Sequence, residues 1–471
     1  MSFKATSRVP RTTACARTEF GSVPPTARRF RPERPRPRGG AVLESRRFVR
    51  GPEGWRLAGN AHASTFHSGD EGPDREAPIS DSPMSDTEVI GKLGDLAATA
   101  GLRRIAILAW RDLDDPEAGG SELHASRVAS LWAEAGIEVT MRTSYAAGHP
   151  QVTWRNGYRV IRKAGRYLVF PRAAFSEMMG WHGASDGLVE IWNGMPFFSP
   201  LWARRPTVAW LHHVHDSMWE MTLSARLAQL GRRLEFDVAP IIYRRTPIVT
   251  LSNSSKDELV SKLHLKAHRI TVVPPGIDPS FSPGGTRSAT PLVVAVGRLV
   301  PVKRFAALID SLAAVRGRHP ALELVIVGEG YEREALEAQV RELGASEWVS
   351  LPGRVDSHTL LDLYRRAWVL ASASAHEGWG MTVTEAAACG TPAVATRIAG
   401  HTDAIVDGRT GLLVDVPAQM GSAIERLIGD ESLRASMSQA AISYATQFTW
   451  GATARGTLEV LANEALRHRR S

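Results

Sequence analysis

From about residue 102 the chain alternates short runs of β-branched and aliphatic residues with stretches whose apolar positions recur at helical spacing. That alternation predicts a parallel sheet covered by helices on both faces. The runs place strands at 104–109, 138–142, 158–162, 187–192, 207–211, 247–251 and 270–273. The series then breaks at Pro274-Pro275-Gly276-Ile277-Asp278-Pro279-Ser280-Phe281-Ser282-Pro283-Gly284-Gly285, which is too rich in Pro and Gly for either element and reads as a linker. Beyond it a second series predicts strands at 292–296, 323–327, 348–351, 369–372, 393–396 and 412–415. Two doubly wound α/β halves joined in this way place a ligand in the cleft between them, facing the carboxyl ends of both sets of strands.

Composition narrows the class. The chain has 471 residues, 43% apolar and 23% charged, as expected of a globular enzyme of two to three domains. No apolar run reaches the roughly 18 residues of a membrane span. Two cysteines, Cys15 and Cys389, make no disulfide framework, and a cytoplasmic setting is expected. The net charge of +8 is uneven: residues 1–83 hold fifteen Lys and Arg against nine Asp and Glu, leaving forty-two against forty for the remainder. This Arg/Pro-rich extension lacks helical or strand periodicity and the apolar core of a secretory signal, and is expected to be disordered. Its lack of interleaved aromatics argues against a nucleic-acid arm.

The chemistry concentrates in His376-Glu377-Gly378-Trp379-Gly380-Met381-Thr382-Val383-Thr384-Glu385, followed by Gly390-Thr391-Pro392. Gly378 and Gly380 let the backbone approach a ligand, and the helix expected from Met381 would present free amides to an anion. Glu377 in the turn and Glu385 in the helix can each accept hydrogen bonds from a diol. Two hydroxyl-binding carboxylates flanking an anion site describe a sugar joined to a nucleoside diphosphate. This run resembles the paired-glutamate motif of retaining glycosyltransferases of family 4, whose GT-B fold sets two Rossmann-like domains across a cleft. The resemblance implies that Glu377 holds sugar hydroxyls, that Glu385 holds the ribose, and that the amides near Gly380, Met381 and Thr382 hold sugar and diphosphate. It also implies a last helix crossing back to the first domain, for which residues 452–466 have suitable apolar spacing. The expected division is an extension at 1–83, an acceptor-side domain at 84–273, a linker at 274–290, a nucleotide-sugar-binding domain at 291–445 and the returning helix at 446–471.

Other motifs recur in order. Gly297-Arg298-Leu299, with Lys303 five residues after Arg298, resembles the family's Gly-Arg-Leu…Lys-Gly element, although Arg304 stands where the family has glycine. Arg298 and Lys303 would leave the strand end together and stabilise the charge of a departing diphosphate. Gly119-Gly120, after the first strand, resembles the loop that reaches the donor phosphates or the acceptor. The same loop carries Asp112-Leu113-Asp114, a spacing used by metal-dependent transferases of another fold; with two fixed cations in the cleft these are read as polar loop residues, and no metal is expected. In related enzymes a histidine at the end of the strand preceding His212-His213-Val214-His215 meets the transferred sugar; His212 matches best, with His213 and His215 as alternates. Ala399-Gly400-His401-Thr402-Asp403 replaces the family's usual Gly-Gly and later Glu, which implies a reshaped sugar pocket.

Between Val139 and Ser176 there is no acidic residue, while Arg142, Arg155, Arg159, Arg162, Lys163, Arg166 and Arg172 are interleaved with aromatics. That combination suits an anionic surface or a lipid-linked or phosphorylated acceptor, and hence peripheral contact with the inner membrane face. The expected function is transfer of a hexose from GDP-mannose or a UDP-hexose, as co-substrate, to a hydroxyl acceptor. The expected catalytic set is His212, Arg298, Lys303 and Glu377, and the donor-binding set is Gly119, Gly120, Gly378, Gly380, Met381, Thr382 and Glu385. Two other classes share the fold: a nucleotide-sugar isomerase, which would not need both the glutamate pair and the two cations, and a non-catalytic sugar-nucleotide-binding protein.

Overall fold

The structure is a computed structural model that describes residues 86–470 other than Ser217; the expectations for residues 1–83 lie outside the described residues. Eight strands form the first sheet: β1 (Arg104–Leu108), β2 (Glu138–Thr143), β3 (Val152–Arg155), β4 (Tyr158–Arg162), β5 (Gly187–Ile191), β6 (Thr207–Trp210), β7 (Ile248–Thr250) and β8 (Ile270–Val272). Their order is β3-β4-β2-β1-β5-β6-β7-β8. All neighbours run parallel except β3 and β4. β3 has no counterpart in the sequence reading. It pairs with β4 through Asn156-Gly157, both at positive φ (44° and 83°), the two-residue turn whose twist suits a hairpin.

Six strands form the second sheet: β9 (Leu292–Val296), β10 (Glu323–Val327), β11 (Val349–Gly353), β12 (Val369–Ser372), β13 (Ala393–Thr396) and β14 (Gly411–Val414). They run parallel in the order β11-β10-β9-β12-β13-β14. Parallel strands covered on both faces must be apolar throughout, and Val293, Val294 and Ala295 are completely buried. The strand order reverses beside β1 in the first sheet and beside β9 in the second. At such a point successive connections leave on opposite faces and a crevice opens at the carboxyl ends of the strands. The loops after β1 and β9 are those that carry Gly119-Gly120 and Arg298.

The helix Trp450–His468 belongs to the second half in sequence but packs in the first-domain core. Leu458 and Leu461 are fully buried among Ile105, Ile107, Val189 and Trp132. Each such leucine contributes about 1.5–3 kcal/mol by leaving water. The Trp132 indole N–H donates to the Ala454 carbonyl at 3.0 Å. Where the chain crosses outward, the Ile277 amide donates to the Phe448 carbonyl at 3.1 Å, so the outgoing and returning segments run side by side.

Candidate active site

The second domain contributes an anion-binding end. The helix Met381–Ala388 starts after Gly380, whose φ of 100° favours glycine. Its first internal hydrogen bonds run from the Val383 and Thr384 amides to the Gly380 carbonyl, which leaves the amides of Met381 and Thr382 at the open end. Before it, the Glu377 carboxylate accepts from Lys303 and, at 2.8 Å, from the Ser374 hydroxyl. Burial alone would raise the pKa of Glu377, but Lys303 and then His401 outweigh it and hold that pKa at about 2. Glu377 is therefore a carboxylate throughout the working pH range.

A backbone tie and a left-handed turn set this geometry. The Ala375 amide donates to the Val302 carbonyl at 2.7 Å, clamping the glutamate loop on the turn that carries Lys303. That turn, Pro301–Lys303, ends at Arg304 with φ 52° and ψ 38°. Arginine thus adopts the left-handed conformation that a glycine takes more easily. Arg298, leaving the end of β9, is half-buried and makes no side-chain hydrogen bond or ion pair among the described residues. Burial lowers its pKa, and Arg111 adds to the effect, against the attraction of Glu122, Glu117 and Glu377. A desolvated, unpaired guanidinium at the mouth of a cleft is a site for an anion.

Glu385, one turn into the helix, accepts from the Tyr364 hydroxyl at 3.0 Å. Burial raises its pKa to about 7, opposed by that hydrogen bond and reinforced by Asp278 of the linker. Neither Tyr364 nor Ser374 was singled out in the sequence; Ser374 lies three residues before Glu377, whereas Tyr364 comes from another helix, Ser357–Arg366, and gives no local signal.

The first domain closes the opposite side. Gly119 caps the helix Gly120–Glu134, and Glu122 reaches back to the Gly119 amide at 2.8 Å. A β-carbon on Gly119 would stand 3.5 Å from Arg298 Nε, and one on Gly120 would stand 3.1 Å from Met381 Sδ. Gly378 is held as closely, since a β-carbon there would lie 2.5 Å from the His212 carbonyl oxygen. The structure therefore brings Gly119, Gly120, Arg298, Lys303, Glu377, Gly378, Gly380 and Met381 together.

His212 joins this cluster through its backbone only, which corrects the assignment of its side chain. The ring is 2% exposed, packs edge-on against His124 at 5.0 Å, and leaves both nitrogens unpartnered. The cause is strand alternation continued past β6: Trp210 and His212 point the same way, both onto His124, and the next residue points oppositely. His213 is the residue within electrostatic reach of Glu377, Arg298 and Lys303. Burial is the main cause of its pKa of about 4, so it stands as a neutral imidazole with an unpartnered Nε2.

Asp112 and Asp114 are committed elsewhere. Arg162, fully buried, donates to Asp112 at 2.6 and 2.9 Å and also reaches Asp114, which pairs in addition with Arg155 at 2.5 Å. Arg166 binds Asp115 and Glu117 at 3.3 and 2.8 Å. Three of the arginines expected to meet an anionic surface therefore neutralise the acidic loop after β1. Among the described residues, no group of three or more His, Cys, Asp or Glu is placed to hold a metal ion.

Residues 278–444 match the family described as glycosyl transferases group 1, and residues 118–281 match glycosyltransferase family 4. A D-inositol 3-phosphate glycosyltransferase of Paenarthrobacter aurescens is 30% identical over 381 residues, 73% of this chain and 92% of that protein. The chain belongs to the group 1 glycosyltransferases of family 4. Another D-inositol 3-phosphate glycosyltransferase, from Acidothermus cellulolyticus, is 35% identical over 262 residues, 51% of this chain and 58% of its own. Among solved structures, sucrose-phosphate synthase from Thermosynechococcus elongatus superposes with a TM-score of 0.65 at 20% identity, over 75% of this chain and 97% of that one. HepE from Anabaena, in complex with UDP and glucose, gives 0.61 at 19% identity over 78% and 99%. The transferase has the GT-B fold. No helix among the described residues is long and apolar enough to cross a membrane.

Proposed function

We propose that this glycosyltransferase moves a hexose from a nucleoside diphosphate sugar to a hydroxyl of a phosphorylated polyol, with retention of the α configuration and without a divalent metal. The observation that carries the reading is the cation pair: Arg298 unpaired and Lys303 held by Glu377, beside the open amides of Met381 and Thr382. The diphosphate would lie against these amides and cations, which stabilise the charge that grows as the glycosidic C–O bond breaks. The acceptor hydroxyl would attack on the face the diphosphate leaves, and the departing phosphate oxygen would take its proton. Glu377, ionised and fixed by Lys303 and Ser374, would accept hydrogen bonds from the sugar hydroxyls; Glu385 would take the ribose diol. A neutral His213 can donate to or accept from the sugar without adding charge. The acceptor class follows the relatives, which are named for D-inositol 3-phosphate.

UDP- and GDP-hexoses offered with inositol phosphates in the presence of EDTA, with the anomeric proton coupling of the product read by NMR, test each part. An α-linked product formed in EDTA is expected. A β-linked product would overturn retention. Loss of turnover in EDTA that magnesium or manganese restores would overturn the assignment of charge stabilisation to Arg298 and Lys303.

A further inference from the structure

With Arg155, Arg162 and Arg166 neutralised by the acidic loop, the remaining cations of the basic segment stand out. Arg159, Lys163 and Arg172 make no side-chain hydrogen bond or ion pair among the described residues. They surround His182 together with Arg142. Arg142, Lys163, Arg172, Ser176, Trp181 and His182 line one small pocket, with about 20 Å³ of space for water, between the ends of β2 and β4 and the helix Val169–Met178.

The pocket has a built floor. Arg142 is 4% exposed; its Nη2 pairs with Glu177 at 2.5 Å and its Nη1 donates to Ser176, but its Nε is buried with no partner. A buried N–H without an acceptor is costly, so this one marks where an acceptor belongs. Glu177 is the local acid, and Arg205 takes its other oxygen at 2.9 Å. His182 has a pKa of about 4, lowered by burial first and then by the four cations, so it is neutral and adds a donor without more charge. Clustered guanidinium and ammonium groups with no acid to spare are the chemistry of a phosphate site.

What adjoins the pocket identifies the source of the phosphate. Leu168, Arg172, Phe175 and Met179 recur at helical spacing along the outer face of the helix, and all are exposed. Trp181 is 54% exposed, lines the pocket, and packs edge-on against Phe175 at 5.4 Å. A stripe of large apolar side chains in water, with unpaired cations within and beside it, matches the interface of an anionic bilayer and not a free ion.

We propose that this face docks the protein on an anionic membrane, phospholipid head-group phosphates meeting Lys163 and Arg172 at the mouth of this pocket while Leu168, Phe175, Met179 and Trp181 enter the head-group layer. Co-sedimentation of the full chain with phosphatidylcholine vesicles, with and without phosphatidylglycerol, tests it. Wild type is expected to sediment only with the anionic vesicles, and less as salt rises from about 0.1 M to about 1 M and the screening length falls from about 10 to about 3 Å. The surface double variant Lys163→Gln/Arg172→Gln should lose about tenfold or more in vesicle affinity, and Met179→Ser/Trp181→Ser should also lose affinity, with melting temperatures unchanged. Wild type that ignores phosphatidylglycerol, or a charge variant that sediments as wild type does, overturns the proposal. So does wild type whose sedimentation is abolished by glycerol phosphate while the apolar variant still sediments normally, because the pocket then serves a soluble phosphate.

Discussion

Arg298 and Lys303 are both cations, but they stand differently: Lys303 is neutralised by Glu377, whereas Arg298 has no counterion until an anion arrives. Replacing Arg298 with Ala should therefore cut turnover about 10²–10³-fold, the effect of removing one aimed donor from a developing charge. Lys303→Ala should slow turnover as well and also release Glu377. Steady-state kinetics decide this, and near-normal rates in Arg298→Ala would remove it from the mechanism. Glu385 carries a second prediction. Its pKa is raised from 4.5 to about 7, so the proton favours the folded state. That stabilisation is complete below about pH 4.5 and is lost as pH rises through 7. Melting curves of Glu385→Gln and wild type should accordingly diverge between pH 5 and pH 8, with the variant the more stable at the alkaline end. Donor affinity in wild type should weaken from pH 8 to pH 6 as the carboxylate is lost, and should be flat in the variant; parallel profiles for the two proteins would contradict the assignment. The placement of the two glutamates and the two cations was legible because each pair occupies one short stretch of chain. The orientation of the histidines was not: that His212 turns inward and His213 the other way depends on which way Trp210 faces, and that is decided by His124, more than 80 residues earlier.

At the level of elements, every strand read from the hydrophobic runs is present, because buried parallel strands must be continuously apolar. The missing one, β3, is an edge strand with alternating exposure, and its plainest sign was the Asn156-Gly157 turn. Part of the basic segment is engaged inside the domain, for a reason of another kind. Arg162 and Asp112 are 50 residues apart, and only the placement of β4 near the loop after β1 makes them partners. The turn after β9 offers a test of local strain. Arg304 sits at φ 52°, where an L-residue costs about 1–2 kcal/mol relative to the right-handed helix and glycine costs little. Arg304→Gly should match or exceed wild type in denaturant stability, whereas Arg304→Val, stiffer at its β-carbon, should lose at least about 1 kcal/mol. A glycine variant clearly less stable than wild type would mean that the arginine side chain holds the turn through contacts of its own.

At the scale of the whole molecule the two Rossmann-like halves meet through more than the linker and the returning helix. Asp403 lies in the segment expected to reshape the sugar pocket, yet its carboxylate reaches across to the first domain. It accepts from the Asn253 and Ser254 amides at 2.8 and 3.2 Å and from the Ser254 hydroxyl. These amides open the helix Asn253–Leu263, so a residue of one domain satisfies the helix terminus of the other. Next to it the Gly400 amide donates to the Ser254 hydroxyl at 2.8 Å, and the Ser255 hydroxyl donates to the Gly378 carbonyl at 3.3 Å. Gly378 is the residue beside Glu377 that rests on the His212 carbonyl, so the interdomain contact and the Glu377 loop are one piece of structure. No reading of the chain alone could join residues 150 positions apart. Removing the Asp403 carboxylate should loosen the apposition of the domains while leaving each core intact. Losing a helix cap costs about 0.5–2 kcal/mol, so Asp403→Ala should weaken donor binding about 2- to 30-fold. The melting temperature should fall little, and small-angle scattering should show a larger radius of gyration for the variant without donor. Unchanged affinity and unchanged dimensions together would mean that the linker and the returning helix alone hold the cleft at its working width.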